Sequence, residues 1–242
     1  MNTNSSRRAF LAAAVAIPST AIVLSITGGT AHAAGYQWGR TLSQGDSGDD
    51  VAQLQVRVSG YPGYNSKIAI DGAFGPHTHT AVAGFQQAYG LGADGVFGPA
   101  SRGVIDSLQS SDNTPLHFEY GELNNCNGNW EGGRVSGPTA MFNALVTMWK
   151  LEAMRHAMGD HPIAISSGFR DANCNAAVGG APDSRHMYGD AADLIGSHSF
   201  CNLAGQARYH GFTGIFGPGF PGHDDHTHVD GGSGQWSFPS CG

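Results

Sequence analysis

Apolar residues recur at intervals of three and four in three short stretches of the first half of the chain, the spacing of one helical face. The stretches contain Val51, Leu54 and Val58; Val82, Phe85 and Tyr89 within residues 78–89; and Val104, Ile105 and Leu108 within residues 101–108. The second and third stretches each follow a near-copy of one turn, at residues 71–76 and 94–99. Three short amphipathic helices can bury one small core. The pattern therefore predicts a small all-α domain over residues 36–110.

The second half of the chain combines one long helical pattern with short apolar runs. Residues 139–156 have helical spacing, and Pro138 suits the first turn of a helix. The other predicted elements are a helix at 200–209 and strands at 162–167, 191–195, 213–216 and 227–229. This order is typical of an α+β domain, with a mainly antiparallel sheet. We therefore predict a multi-domain chain, with a linker at residues 111–116 and the α+β domain at 117–242.

The N-terminal residues have the order of an export signal. Arg7 and Arg8 precede an apolar run that reaches Ile26, and residues 31–33 have the small-residue pattern of a cleavage site. Paired arginines in this place are typical of a twin-arginine signal. Residues 1–33 are therefore predicted to be a signal peptide, with an uncleaved membrane anchor as the alternative. No later apolar run is long enough to span a bilayer, so a secreted protein free of the membrane is expected.

Charge and cysteine content narrow the function classes. The chain has 12 basic and 19 acidic residues, a net charge of −7, and removal of residues 1–33 leaves 10 basic residues and a net charge of −9. Nucleic-acid binding depends on clustered Lys and Arg, so no nucleic acid partner is predicted. The cysteines allow three pairings, and none lies in a C-x-x-C pair. Two structural disulfides are therefore favoured over a thiolate metal site. The cysteines are Cys126, Cys174, Cys201 and Cys241.

Two short segments, residues 184–193 and 223–230, together hold four histidines and five aspartates. Neutral imidazole and carboxylate are ligands that zinc takes in catalytic sites, usually three from the protein. His186, Asp193 and either His226 or His228 would supply such a set, since side chains at i and i+2 of a strand share a face. Asp230 is placed to orient a ligating imidazole. The alternative is a hydrogen-bonded surface patch without metal.

The first domain resembles the peptidoglycan-binding module of many secreted cell-wall enzymes. The resemblance implies a three-helix unit that attaches its partner domain to the cell-wall polymer, and the alternative is a generic three-helix domain without a ligand. The residues that carry the resemblance are Leu42, Gly45, Gly48, Val51, Leu54 and Gln55, then Asp71-Gly72-x-Phe74-Gly75, Thr80-Ala81-Val82-x-x-Phe85-Gln86, Gly90-Leu91 and Asp94-Gly95-x-x-Gly98.

The second domain resembles the secreted zinc D-alanyl-D-alanine carboxypeptidases, which share a fold with the vancomycin-resistance D,D-dipeptidases and the hedgehog signalling domain. The motifs are His186-x6-Asp193, Asp225-x-x-His228 followed by Val229-Asp230, and Ser166-Ser167-Gly168-Phe169-Arg170. By this resemblance, Zn²⁺ is the cofactor and the chain acts on peptidoglycan stem peptides ending in D-Ala-D-Ala. It is expected to be a monomer that is secreted and associated with the cell wall.

The resemblance also implies a role for each site residue. The zinc ligands are His186, Asp193 and His228, and the general base is Asp225. Arg170 holds the C-terminal carboxylate of the substrate, while His223 and His226 line the site and help to stabilise the oxyanion. The implied disulfides are Cys126–Cys174 and Cys201–Cys241.

The expected reaction is hydrolysis of the terminal D-Ala-D-Ala bond with release of D-alanine. One alternative is an endopeptidase that cuts D-Ala-D-Xaa cross-links, and another is a non-catalytic zinc or wall-binding protein. A serine DD-peptidase needs lysine-containing motifs, and Lys150 is the domain's single lysine, so that class is excluded. A non-haem iron oxygenase shares the ligand types, but its common H-x-D spacing is absent.

Overall fold

The first half of the chain contains the three predicted helices, α1 (Asp49–Arg57), α2 (Pro76–Ala88) and α3 (Pro99–Leu108). The structure is a computed structural model that describes residues 35–124, 126 and 128–242. α2 and α3 each start on a proline, which suits a first turn because its backbone nitrogen needs no partner there. Leu54, Phe85 and Ile105 from the three helices are fully buried in a shared core. The predicted signal peptide at residues 1–33 lies outside the described residues.

Each of the two repeated turns is held by a buried glutamine from the preceding helix. Gln55 of α1 holds the first turn and Gln86 of α2 holds the second. The amide oxygen accepts from two turn backbone N–H groups in Gln55 and from one in Gln86. In both, the amide nitrogen donates to an aspartate, a carbonyl and a hydroxyl on the next helix. The partners are Asp71, Gly72, Ala73 and Thr78 for Gln55, and Asp94, Gly95, Val96 and Ser101 for Gln86. The sequence repeat is therefore also a repeat of hydrogen bonds.

The segment predicted as a linker, residues 111–116, packs between the two halves of the chain. Arg57 of α1 is fully buried and donates to the side chain of Asn113 at 2.7 Å. The indole of Trp149 donates to the Asn113 carbonyl at 2.9 Å. Burial lowers the pKa of Arg57 to about 10. The described residues accordingly lie in one compact unit, and the boundaries predicted at residues 110 and 117 stay predictions.

The second half is built on one long helix and a five-stranded sheet. The helix α4 (Gly137–Ala157) covers the predicted range 139–156 and buries Met148 and Leu151. The strands are β1 (Ala164–Ser167), β2 (Ala191–Ile195), β3 (Gly214–Phe216), β4 (Thr227–Asp230) and β5 (Trp236–Ser237). Their spatial order is β1-β2-β4-β3-β5, and all neighbours are antiparallel except β3 and β5. The predicted α+β class with a mainly antiparallel sheet is confirmed.

Two further helices complete this half. α5 (Ala172–Ala177) was not predicted, and α6 (Phe200–Ala207) corresponds to the predicted helix at 200–209. α6 packs on the sheet and buries Leu203. Both disulfides implied by the resemblance, Cys126–Cys174 and Cys201–Cys241, are confirmed, and they tie α5 and α6 to distant segments. Among the described residues, no helix is both long and apolar enough to cross a membrane.

Candidate metal centre

Three buried side chains from three different elements meet at one point: His186, Asp193 and His228. Asp193 lies in β2 directly opposite His228 in β4, so the two side chains leave the same face of the sheet. His186 comes from a 3-10 turn that ends at Gly189, where φ is +78°. A Cβ at Gly189 would lie 2.4 Å from the carbonyl oxygen of Ala140, so only glycine allows this turn to approach α4.

The atoms of these side chains that face one another, here called the inner atoms, are about as far apart as the ligand atoms of one small metal ion. His186 Nε2 lies 3.1 Å from His228 Nδ1 and 3.1 Å from Asp193 Oδ1, and His228 Nδ1 lies 2.9 Å from Asp193 Oδ1. Tetrahedral zinc with ligands at about 2.0–2.1 Å separates them by roughly 3.3 Å. Two imidazoles and one carboxylate are also a ligand set that leaves a fourth position open. The residues present therefore fit a zinc ion.

The outer atoms of the same side chains are held by the protein. His186 Nδ1 donates to the Gly168 carbonyl at 2.6 Å, and His228 Nε2 donates to Asp230 at 3.2 Å. The Asp230 carboxylate is fixed in turn by the backbone N–H groups of Gly232 and Ser233. These bonds turn His186 Nε2 and His228 Nδ1 inward and leave both as acceptors when the rings are neutral, which is how metal-ligating histidines are oriented. Asp230 thus has the orienting place predicted from the sequence.

The charges of the group are strongly coupled. Burial opposes the charge on His228, but hydrogen bonds from its ring to Asp193 and Asp230 outweigh this and raise the pKa of His228 to about 9. Burial lowers the pKa of His186. Burial also opposes ionisation of Asp193, yet the two histidines hold its pKa far below its ordinary range. The cluster is therefore arranged to hold positive charge between its inner atoms.

A cavity of about 870 Å³ opens onto the three side chains. One wall carries Phe216 and Phe220, whose ring centroids lie 4.6 Å apart, with His223 beside them at 5.2 Å from Phe220. His226 Nε2 lies 3.6 Å from Asp193 Oδ1, so this ring faces the ligand group. Burial lowers the pKa of His223. The structure thus brings His223 and His226 to the cavity, where the resemblance placed them.

Asp225 has a different position from the one expected of a residue that touches the reacting water. Its side chain is 90% exposed, and its carboxylate accepts a hydrogen bond from His226 Nδ1 at 2.8 Å. The hydrogen bond to His226 lowers the pKa of Asp225. Asp225 precedes β4, so the strand alternation that would turn it away from His228 does not apply. Its contact with the site runs through the imidazole of His226.

Arg170 lines the cavity and touches the ligand group. Its Nη2 donates to Asp193 Oδ2 at 2.7 Å, and its Nε donates to Ser167 Oγ at 2.9 Å. A guanidinium has five N–H donors, so these two bonds leave capacity for a ligand carboxylate. The arginine therefore holds the outer oxygen of Asp193 and remains available to the cavity.

Sequence reasoning missed several residues of the site. Gly168 supplies the acceptor for His186, Ser167 holds Arg170, and Phe216 and Phe220 form the aromatic wall. The two phenylalanines flank the turn Gly217-Pro218-Gly219, and this spacing is the signal that could have indicated a shared wall.

Two family models match the chain in separate ranges. The model described as peptidase M15 matches residues 116–230, which contain His186, Asp193 and His228 together with Arg170, His223, Asp225 and His226. The model described as putative peptidoglycan binding domain matches residues 47–105, which contain α1, α2 and α3.

Curated relatives agree with both matches. The chain is 63% identical to the zinc D-Ala-D-Ala carboxypeptidase of Streptomyces albus G over 209 residues, which cover 86% of this chain and 82% of the relative. Shorter matches include a spore cortex-lytic enzyme of Halalkalibacterium halodurans, 39% identical over 32% of this chain and 22% of the relative. Another is the N-acetylmuramoyl-L-alanine amidase CwlM of Mycobacterium tuberculosis, 48% identical over 26% and 15%. The chain therefore belongs to the peptidase M15 family.

Proposed function

We propose that the protein is a zinc-dependent D-Ala-D-Ala carboxypeptidase, which hydrolyses the terminal peptide bond of peptidoglycan stem peptides and releases D-alanine. The observation that carries the proposal is the buried group His186, Asp193 and His228, whose inner atoms converge at the base of a cavity lined by Arg170. The high identity to the Streptomyces albus G enzyme over most of both chains supports the same substrate.

His186, Asp193 and His228 hold the zinc ion in this proposal. When bound, zinc supplies a Lewis acid that polarises a carbonyl and lets water act as a nucleophile near neutral pH. The protein keeps the three ligands in place through Gly168, Asp230 and Arg170, so little reorganisation is needed during the reaction.

The substrate's free carboxylate binds Arg170, because a guanidinium can donate two parallel hydrogen bonds to a carboxylate. Ser167 and Asp193 fix the orientation of this side chain on the cavity wall. The substrate then needs a free C-terminus because its negative charge pairs with the positive charge of Arg170. Replacing Arg170 by alanine is expected to weaken substrates with a free C-terminus more than amidated ones.

His223 and His226 lie where charge develops during attack on the amide. Their rings are 4.7 Å apart and both line the cavity. Each ring donates from Nδ1, His223 to the Pro221 carbonyl and His226 to Asp225, so its Nε2 can donate to the oxyanion when the imidazole is protonated. Asp225 acts as the general base of the reaction in this proposal, and its hydrogen bond to His226 Nδ1 makes the two side chains one proton-handling unit. The expected result of Asp225→Asn is retained zinc and lost turnover.

The whole chain is organised for work at the cell wall in the same proposal. Residues 1–33 direct export and are removed, residues 36–110 bind the wall polymer, and residues 117–242 carry the reaction. The match of residues 47–105 to the peptidoglycan-binding model and the two disulfides support an extracellular, wall-associated protein, which we expect to be a monomer.

The size of the cavity favours a second candidate, cleavage of D-Ala-D-Xaa cross-links. Its volume of about 870 Å³ is near the top of the roughly 300–1,000 Å³ that sites for drug-sized ligands occupy. A terminal dipeptide alone does not need that space. A cross-linked stem peptide would fill more of it but would lack the free carboxylate next to the cut bond.

The decisive experiment measures D-alanine release from a diacetyl-Lys-D-Ala-D-Ala peptide before and after chelation, followed by zinc addition. We expect release that is lost with the chelator and restored by zinc, and at least tenfold slower cleavage of the C-terminally amidated peptide. Cleavage of a purified cross-linked dimer without release from the soluble peptide would favour the endopeptidase. Zinc-loaded protein that cleaves neither substrate would favour a non-catalytic wall-binding role.

A further inference from the structure

A second ligand surface lies beside the proposed active site, around the guanidinium of Arg208. The residues that form it, here called the aromatic surface, are Tyr64, Arg208, Tyr209, Trp236 and Phe238. Tyr64 and Tyr209 are 51% and 48% exposed, which is high for large rings. A hollow of about 410 Å³ is lined by Arg208 and residues 236–239. None of these residues takes part in the proposed hydrolysis.

The rings hold the arginine in place. The guanidinium carbon of Arg208 lies 5.0 Å from the ring centroids of both Tyr64 and Trp236 and 5.8 Å from that of Phe238. Arg208 also donates to the Tyr64 hydroxyl, and its carbonyl accepts from the Asn65 N–H at 2.8 Å. The loop that carries Tyr64 is therefore fixed against the end of α6.

The cation of the aromatic surface keeps donors for a ligand. No carboxylate forms an ion pair with Arg208 among the described residues. Its guanidinium donates there only from Nη2 to the Tyr64 hydroxyl, which leaves Nη1 for a ligand, while the unpaired Nε is buried. Arg57 is also surrounded by rings and has no acidic partner among the described residues, but it is fully buried, whereas Arg208 is partly exposed. Rigid rings beside unused N–H groups offer apolar contact and hydrogen bonds at little cost in conformational entropy.

This combination fits a sugar better than a peptide side chain or a fully apolar partner. The C–H face of a pyranose ring packs on an aromatic ring, and its hydroxyl and acetamido oxygens accept hydrogen bonds from a guanidinium. The ring centroids of Tyr64 and Tyr209 lie 5.1 Å apart and their planes are inclined by 55°. The two rings can therefore contact successive sugars of a linear chain.

The position of the surface indicates which polysaccharide binds. Tyr64 lies within residues 47–105, which match the peptidoglycan-binding model, whereas Arg208, Tyr209 and Trp236 belong to the second half of the chain. Gln235 lines the active-site cavity, and the next residue, Trp236, lines the hollow on the edge strand β5. One strand thus separates the two surfaces. A wall polymer whose stem peptide enters the cavity passes the aromatic surface.

We propose that the aromatic surface binds the glycan strand of peptidoglycan next to the stem peptide held in the active site. The inference rests on the proposed function for the peptide part of the substrate. Both halves of the chain contribute rings to this contact, which gives a reason for their packing into one unit.

The test compares the intact protein with the double variant Tyr64→Ala/Tyr209→Ala, because both rings are half exposed and their loss should leave the fold intact. Phe142→Ala is the matched control, since Phe142 is 42% exposed on α4 outside the aromatic surface. One assay measures affinity for peptide-free glycan strands prepared with an amidase. The other measures kcat/KM on the soluble diacetyl-Lys-D-Ala-D-Ala peptide.

We expect the double variant to lose about tenfold or more in glycan affinity while its kcat/KM on the soluble peptide stays within twofold of the parent. Phe142→Ala should change neither value. Unchanged glycan affinity in the double variant, or an equal loss in Phe142→Ala, would overturn the inference. Failure of the proposed function would show differently, as absence of hydrolysis in the parent protein with glycan binding still measurable. A second variant, Arg208→Gln, should also lower glycan affinity, and its full retention would count against the role of the cation.

Discussion

Polar side chains are buried both at Gln55 and Gln86 in the first half, here called the turn anchors, and at the metal centre in the second half. The hydrogen bonds of these side chains are completed in different ways. Gln55 and Gln86 are neutral amides, and each finds its donors and acceptors in one turn and the start of the helix that follows it. At the centre, the inner atoms of His186, Asp193 and His228 are all acceptors unless a histidine carries a proton. The turn anchors are complete by themselves, whereas the centre needs a cation.

This difference separates a structural polar cluster from a functional one. A buried amide with every hydrogen bond made contributes stability and a fixed shape. A buried group of converging acceptors is costly unless a shared proton or a metal ion lies between them. Changes at the turn anchors should therefore affect folding and spare zinc binding, while changes at the centre should do the reverse.

The largest effect is expected from removing a ligand. His186→Ala or His228→Ala should abolish zinc retention and lower kcat/KM on the soluble peptide about a thousandfold or more, because several kcal/mol of transition-state stabilisation depend on the ion. Zinc content after dialysis and D-alanine release give the two readouts. A variant that kept stoichiometric zinc would remove that histidine from the ligand set.

The turn anchors offer the converse test. Gln55→Ala and Gln86→Ala each leave several buried partners without a hydrogen bond, so the free energy of unfolding should fall by about 2–4 kcal/mol. At temperatures where the variants stay folded, zinc content and turnover should match the parent. Gln87→Ala is the control, since Gln87 is exposed beside Gln86 and should cost less than about 0.5 kcal/mol in urea unfolding. A turn-anchor variant as stable as this control would contradict the comparison.

A smaller effect on zinc affinity is expected from Asp230, which contacts the ligand His228 but does not face the ion. Asp230→Asn keeps the shape of the side chain but removes the charge that accepts from His228 Nε2, so zinc affinity should fall about 10–100-fold. Zinc competition with a coloured chelator measures this change. Asp49→Asn removes an exposed charge on α1 and should leave the affinity unchanged. Equal affinities for the two variants would show that Asp230 does not support the ligand.

The pH dependence of zinc binding is the finest test. With a pKa of about 9, His228 carries a proton below that pH, and zinc must displace this proton to reach Nδ1. Burial lowers the pKa of His186, so that ring is already neutral at pH 7. Zinc affinity should therefore rise about tenfold per pH unit between pH 7 and 9 and then level off. Calorimetry at pH 7 in buffers of different ionisation enthalpy should show release of about one proton, and no release would contradict the assignment.

Much of the fold could be predicted because its signals are local. The helical spacing located α1 to α4 and α6, and alternation or short apolar runs located β1 to β4. The elements that were missed, α5 and β5, are six and two residues long, too short for a period to be visible. β5 also pairs in parallel with β3, an arrangement that depends on a long connection and not on its own two residues.

The site also has features that local sequence could indicate and features that it could not. The residue types and spacing indicated His186, Asp193 and one of His226 and His228, and the resemblance selected His228. The structure brings His186, Asp193 and His228 together. The contact of Asp225 with His226 could not be read from the motif, because it depends on how the chain turns before β4. The contacts of Asn113 with Arg57 and Trp149, which join the segment at 111–116 to both halves, were also hidden, since these partners are 56 and 36 residues away.

The sequence by itself determined most of the helices and strands, the four cysteines available for bonding and the residue types that can ligate a metal. Those features depend on residue type and on neighbours within a few positions. Only the tertiary structure decided that Asp193 lies opposite His228, that Arg170 holds the outer oxygen of Asp193, and that rings from both halves surround Arg208. Strand register and packing between distant segments are set by many weak contacts across the whole core, and no short stretch of sequence contains them.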